Sequence, residues 1–271
     1  MIMMKNEIHP CFAQSCNEYA RVHLPVAPKC NIKCNYCLRK FSCVNESRPG
    51  VTAKVMTPEE AFVWYKDISS KIKNLAVVGI AGPGDALANW NEVEKILKFI
   101  KEDNNHLKLC LSTNGLLLPD YIDKIIDIGI EYITVTLNCV DPQIGSKIYD
   151  YIYYGLKKYQ GIEGAELLLK NQLSGIKQLK DNGVIIKVNC VAIDNINEEH
   201  IIEVAKTVRC LGCDVMNIIP MIPVKGSKFE NIKELSVDRI SSLRKKCGTS
   251  VRQMFHCNRC RADAFGTLSK I

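Results

Sequence analysis

Apolar residues fall along the chain in two alternating patterns. Short runs rich in β-branched side chains lie near 21–27, 75–80, 107–113, 131–138, 184–192 and 214–220, with the length and composition of buried strands. Longer amphipathic stretches of helical period separate them, at 58–73, 90–103, 119–128, 164–182 and 197–211. Local chemistry supports the boundaries. Thr57-Pro58-Glu59-Glu60 reads as an N-cap, a proline at the first helical position and early acids, and Asn182-Gly183 as a helix stop before the next strand. Strand–helix alternation predicts an α/β fold with a parallel sheet: a TIM-type (β/α) barrel, open or closed, of six to eight units.

Two segments break the alternation. Residues 139–163 are too many for a βα turn and carry Tyr149, Tyr151, Tyr153, Tyr154 and Tyr159, which predicts an ordered lid or insertion. Past about 221 the pattern fades, and 247–265 are dominated by Cys, Arg and Asn. With no repeat, low-complexity tract or linker, we expect one compact domain: an N-terminal extension (1–20), a barrel (21–225) and a C-terminal extension (226–271).

Composition narrows the function classes. Hydrophobic content of 47% and charged content of 24% over 271 residues are ordinary for a soluble globular protein. No apolar run is long enough to span a bilayer, and the start MIMMKNEIHP lacks a signal-peptide core, so a cytoplasmic protein without a membrane partner is expected. The net charge of +7 is scattered, without aromatic interleaving or a basic tail, which favours a solvated surface over a nucleic-acid partner. The 14 cysteines change the picture most. In a reducing cytosol they point to metal or cluster ligation rather than to disulfides, and six of them fall within the first 43 residues.

Cys30, Cys34 and Cys37 form CxxxCxxC directly after the first strand. Three thiolates on one loop can bind three irons of a [4Fe–4S] cluster and leave the fourth open to S-adenosylmethionine (SAM). A zinc knot uses paired CxxC motifs and a bacterial ferredoxin run is CxxCxxCxxxC, and neither spacing is present here. The motif, with Tyr36 just before its third cysteine, resembles that of the radical SAM superfamily. The resemblance implies reductive cleavage of SAM to a 5′-deoxyadenosyl radical. Gly79-Ile-Ala-Gly82-Pro-Gly84-Asp85, after the second strand, occupies the place of the superfamily's Gly-Gly-Glu motif. Its glycines would let backbone approach a ligand, and Asp85 would receive the SAM ammonium group.

Strand parity places Cys110 with Ser112 and Asn114 on the inner face of the third strand, where a ligand and a satisfied buried thiol are both admissible. A longer set of strings carries a narrower resemblance. HPC (9–11), CNIKCNYCLRKFSCVNESRPGV (30–51), GIAGPGD (79–85), STNG (112–115), VDPQIGSKIY (140–149), MNIIP (216–220) and HCNRCRADAFG (256–266) resemble the NifB family, which builds the precursor of the nitrogenase cofactor. The likeness runs from about residue 9 to 266.

That resemblance implies three [4Fe–4S] clusters. One binds SAM; two are precursors fused around a carbide from a SAM methyl group, with an added sulfur. It assigns His23, Cys43 and Cys110 to one precursor cluster, and Cys11, Cys257 and Cys260 to the other. Glu46 and Arg48 would handle protons or added sulfur, and Arg259 and Arg261 would offset cluster charge. SAM contacts are expected among Tyr36, Gly82, Gly84, Asp85, Asn114, Thr136, Asn138, Asn189 and Ile219, the last on an adenine shelf. Thr134 and Lys187 share inner strand faces with some of these and stay undecided. Implied partners are a ferredoxin or flavodoxin as electron donor, a cluster-donating scaffold, and carrier and assembly proteins of nitrogenase. Ending five residues beyond Gly266, the chain reads as a stand-alone form without a carrier-like domain. Cys16, Cys139, Cys190, Cys210, Cys213 and Cys247 read as structural or incidental. Two other readings remain: a radical SAM peptide- or RNA-modifying enzyme with auxiliary clusters, and a non-enzymatic iron–sulfur scaffold or electron carrier.

Overall fold

A computed structural model of the chain describes residues 8–13 and 18–268. In chain order the strands are β1 (Ala20–His23), β2 (Ile32–Cys34), β3 (Leu75–Ile80), β4 (Lys108–Thr113), β5 (Ile130–Thr136), β6 (Tyr149–Tyr154), β7 (Lys157–Tyr159), β8 (Ile185–Ala192), β9 (Val215–Pro220) and β10 (Phe265–Gly266). The α-helices are α1 (Pro58–Lys71), α2 (Trp90–Asp103), α3 (Leu118–Ile128), α4 (Pro142–Ile148), α5 (Gly161–Asp181), α6 (Ile201–Cys210) and α7 (Val237–Gly248). None is long and apolar enough to cross a membrane.

Six strands make the predicted parallel sheet, in the order β1-β3-β4-β5-β8-β9, with β10 antiparallel on the free edge of β1. The sheet curls without closing, so the barrel is of the open form. Each predicted helix forms. Thr57 and Glu60 build a reciprocal capping box at the start of α1 (Glu60 N to Thr57 Oγ1 3.2 Å, Thr57 N to Glu60 Oε2 2.9 Å). Asn182 ends α5, and Gly183 turns the chain at φ +76°. Strand β1 is shorter than its apolar run, because Pro25 has no N–H to continue the ladder.

Alternation along the strands sorts two interiors. Leu109, Leu111, Ile133, Val135, Ile186 and Val188 face the helical layer, where Val93, Ile96, Leu97 and Ile100 of α2 recur at helical spacing in the same core. Each such side chain contributes about 1.5–3 kcal/mol by burial. The other face is polar and thiol-bearing. Parallel register aligns His23, Gly79, Cys110, Tyr132 and Ile185 in one row across β1, β3, β4, β5 and β8. The next row is Ser112, Thr134, Lys187 and Val215. Cys110, Tyr132, Ile185 and Val215 pack with Phe12, Val77 and Met254 into a small apolar floor.

The insertion is ordered, as expected, and its form is new. Residues 142–159 form α4 and the hairpin β6–β7, which pairs with β2 inside the CxxxCxxC loop, Cys34 opposite Tyr149. The chain ends meet on the floor. Arg252 Nη2 donates to Phe12 O at 2.7 Å, and His256 Nε2 lies 2.9 Å from Pro10 O.

Candidate active site

Cys30, Cys34 and Cys37 line one cleft at the carboxyl ends of the strands, with Tyr36, Arg39, Cys43, Glu46, Gly84, Asp85, Asn114 and Thr136. Burial, and next the Asp85 carboxylate, push the Cys30 thiol up to about 11. Burial and then the Cys37 and Cys30 sulfurs raise Cys34 well above the usual thiol range. Without metal these two are thiols; iron would displace their protons and bind three thiolates already gathered on one loop. Asn114 reinforces the loop, its Nδ2 donating to Asn31 Oδ1 at 2.6 Å and lying 3.8 Å from Cys30 Sγ.

Several expected SAM contacts have structural partners. The Asp85 carboxylate accepts from Leu87 N, Ala88 N, Thr113 Oγ1 and Asn114 N at 2.6–3.2 Å. Those donors occupy the lone pairs that an ammonium group would need, so Asp85 ties the end of β4 to the loop after β3. Gly84 lets two backbones meet rather than backbone and ligand: a Cβ there would lie 2.2 Å from Lys29 O. Gly82 packs beside it, with φ +114°. Tyr36 OH donates to Asn45 Oδ1 (2.9 Å) and accepts from Asn138 Nδ2 (2.7 Å). Asn189 Nδ2 donates to Asn45 O and Glu46 Oε1, both at 3.0 Å. Ile219 lies in the apolar cluster beneath the insertion, with Tyr36 and Leu116.

Below the cleft, the remaining candidates sit deeper. His23 and Cys110 flank Gly79, where an added Cβ would stand 3.1 Å from His23 Cδ2 and 3.8 Å from Cys110 Cβ. The missing side chain keeps the space between the two open. His23 Nδ1 lies 3.3 Å from Arg261 O, which assigns the proton to Nδ1 and leaves Nε2 as a lone-pair donor. Burial, then Arg21, lowers His23 to about 4, so the ring stays neutral. Cys43 belongs to the upper wall: burial, then Cys37 and Cys30, then Glu46, hold its thiol well above its ordinary value. Glu46 bridges the levels. It accepts from Ser112 Oγ (3.1 Å) and Asn189 Nδ2 (3.0 Å), and burial raises it to about 7 against the opposing pull of Lys187.

Cys11 meets Cys257 and Cys260 although they lie near opposite ends of the chain. Burial dominates its rise to about 11, with both C-terminal thiols adding and Lys187 and Arg21 opposing. Of the two expected cations Arg259 is acted on by the Cys257 sulfur, and a third, unexpected one stands beside Cys260. Arg21 Nη2 donates to Cys260 Sγ at 2.8 Å, while Arg261 is engaged by Asp263 and Thr52 O, and Arg259 reaches Pro220 O. Arg21 was legible in principle, two residues before His23 on the same strand face. Arg48 is exposed and makes no hydrogen bond or ion pair among the described residues, so the fold does not bring it to Glu46. Among the described residues no three Cys, His, Asp or Glu side chains converge on a single metal ion; a cluster spreads its ligands over separate irons.

The other cysteines stand apart. Cys190, Cys213 and Cys247 lie in the core on the helical side of the sheet, Cys139 is buried against Gly145, and Cys210 is exposed. Cys16 lies outside the described residues.

Comparison with known proteins speaks to the family and the fold. The radical SAM superfamily model matches residues 24–208. The FeMo cofactor biosynthesis proteins NifB of Chlorobaculum tepidum and Klebsiella pneumoniae are 44% and 42% identical over 97% and 100% of this chain. The chain covers 62% and 59% of those proteins, about three-fifths of their length. Among solved structures, Streptococcus suis SuiB bound to S-adenosylmethionine matches with TM-score 0.60 at 14% identity, over 87% of this chain and 50% of that one. Methylornithine synthase (PylB) matches with TM-score 0.58 at 13% identity, over 88% and 72%. At such identities these two speak for the fold. With more than half of its residues matched by the family model, the chain belongs to the radical SAM superfamily.

Proposed function

We propose that the chain fuses two [4Fe–4S] substrate clusters, a carbide from SAM and an added sulfur into the eight-iron precursor of the nitrogenase cofactor. The observation that carries this reading is the convergence of two further ligand groups, His23/Cys110 across Gly79 and Cys11/Cys257/Cys260, beneath the three-thiol cleft. A radical enzyme acting on a peptide or RNA needs a route for a polymer to this depth, where instead Cys11, Cys110 and Cys257 gather around Lys187 as candidate ligands.

The cleft suits a SAM-binding cluster: three thiols on one loop, Asn114 against Cys30 Sγ, and the Arg39 cation, which burial disfavours and which Cys30 and Cys37 draw up all the same. Cys30, Cys34 and Cys37 would hold that cluster, which when bound supplies the electron that cleaves SAM. The other residues position and protect. His23 Nε2, Cys110 and Cys43 would hold the first substrate cluster, the Arg261 carbonyl orienting the His23 ring. Cys11, Cys257 and Cys260 would hold the second, with Arg21 donating to Cys260. The extensions (1–20 and 226–271) thus complete a site begun by the barrel (21–225). Glu46, raised to about 7, is suited to take a proton from a SAM-derived methyl group and pass it on near neutral pH. Phe12, Tyr132 and Met254 keep water from the floor. Three clusters, reduction by a ferredoxin or flavodoxin, loading from a scaffold and release to a nitrogenase carrier belong to the same proposal.

The test is anaerobic loading with iron and sulfide followed by SAM and a strong reductant. The expected products are 5′-deoxyadenosine and an acid-labile eight-iron cluster that activates apo-nitrogenase. Full iron loading and intact SAM cleavage without that cluster would refute the reading.

A further inference from the structure

The chamber beneath the cleft holds hydrogen-bond donors that lack acceptors. Lys187 is 5% exposed, and among the described residues its Nζ makes no hydrogen bond or ion pair; its contact is the Phe12 ring, 5.4 Å away. His9 is 2% exposed and packs edge-on against Phe12 and at a tilt against Tyr132. Its Nδ1 accepts from Cys11 N at 3.1 Å, which leaves the proton on Nε2, and Nε2 is buried without a partner. Arg21 Nε is likewise unpaired, although its other nitrogens reach Cys260 Sγ and the carbonyls of Gly266 and Thr267.

The groups facing Lys187 are the Cys11, Cys110 and Cys257 thiols and the Glu46 carboxylate. Glu46 is committed to Ser112 and Asn189 and stands outside ion-pair distance of the ammonium. Among the described residues none of the three sulfurs stands within hydrogen-bond distance of the ammonium. A buried ammonium ion and a buried imidazole N–H without acceptors are each unfavourable. Both are relieved by one kind of occupant: a net-negative, acceptor-rich body lying against the floor.

We propose that Lys187 and His9 form an anion-binding site whose ligand is the sulfide face of the iron–sulfur cluster at Cys11, Cys257 and Cys260. Lys187 is its fixed counter-charge, and His9 Nε2 donates an N–H···S bond. The site rests on the proposed function, which puts a cluster there. A cluster next to a fixed cation is easier to reduce, because the added electron is stabilised.

The test is an EPR-monitored reductive titration of the anaerobically loaded full chain, with the SAM-binding cluster as internal reference. Lys187→Met and Lys187→Gln are expected to move the chamber clusters to more negative potentials, Lys187→Arg to restore them, and His9→Phe to give a smaller negative shift. The reference potential should stay in place. Full loading with unmoved chamber potentials in both neutral variants overturns the anion site alone. Wild-type protein that binds only about four irons per chain overturns the site and the proposed function together.

Discussion

The cleft and the chamber below it are both sulfur-rich, yet they are built in opposite ways. The cleft thiols come from one loop, Cys30 to Cys37, closed by a strand pairing between β2 and β6. The chamber draws on β1, β3, β4 and β8, on the segment around Cys11 and on the one around Cys257. A local ligand set survives changes elsewhere in the chain. A dispersed one exists only while the sheet register and the meeting of the chain ends hold. The two sites should therefore separate under mutation.

The largest separation is expected from Cys30→Ala, which should lower 5′-deoxyadenosine formation by on the order of a thousandfold or more, because one thiolate of three is lost. The chamber iron should remain, as read by iron analysis and EPR. Cys110→Ala should do the reverse and remove about four irons per chain while the cluster at Cys30, Cys34 and Cys37 still assembles. Gly79→Val sharpens this, since a Cβ already stands 3.1 Å from His23 Cδ2 and a branched side chain fills the gap to Cys110. It should empty the His23/Cys110 position and destabilise the fold by about 1–3 kcal/mol in chemical denaturation.

Smaller effects test the link between the levels. Glu46 is raised in the folded chain to about 7, from an ordinary 4.5, so the native state binds the extra proton between those values. The stability this lends is complete below about pH 4.5 and is lost as pH rises through 7. Melting of the cluster-free protein should fall across that window in the wild type and flatten in Glu46→Gln; parallel profiles would remove Glu46 as the titrating group. Thr57→Ala should be the mildest, costing about 1 kcal/mol through the lost capping box on α1 and leaving both sites loaded.

Much of the outer architecture was readable because it is local. Strand β3 and helix α2 begin and end where the apolar pattern does, and the α1 cap and the Gly183 stop follow from side-chain chemistry within four residues. Strand β2 was not readable, since Ile32–Cys34 is extended only by pairing with a hairpin more than a hundred residues away. Grouping Cys43 with His23 and Cys110 followed the family resemblance; in the fold, after burial, the neighbours that most raise its thiol are the cleft sulfurs of Cys37 and Cys30. Arg48 looked close to Glu46 because they are two residues apart, yet one is held in the chamber and the other is exposed.

Residue order alone was enough for the class of chemistry. Three cysteines at CxxxCxxC spacing can serve one cluster whatever the rest of the chain does, because the loop is too short to part them. What that chemistry acts on is a property of the folded chain. Parallel register lines up His23, Gly79 and Cys110, and docking of the ends brings Cys11 to Cys257 and Cys260. Burial leaves His9 Nε2 and Arg21 Nε without partners among the described residues and sets the Lys187 ammonium against thiols. Desolvation depends on everything packed around a group, and so it has no signature in the letters beside it.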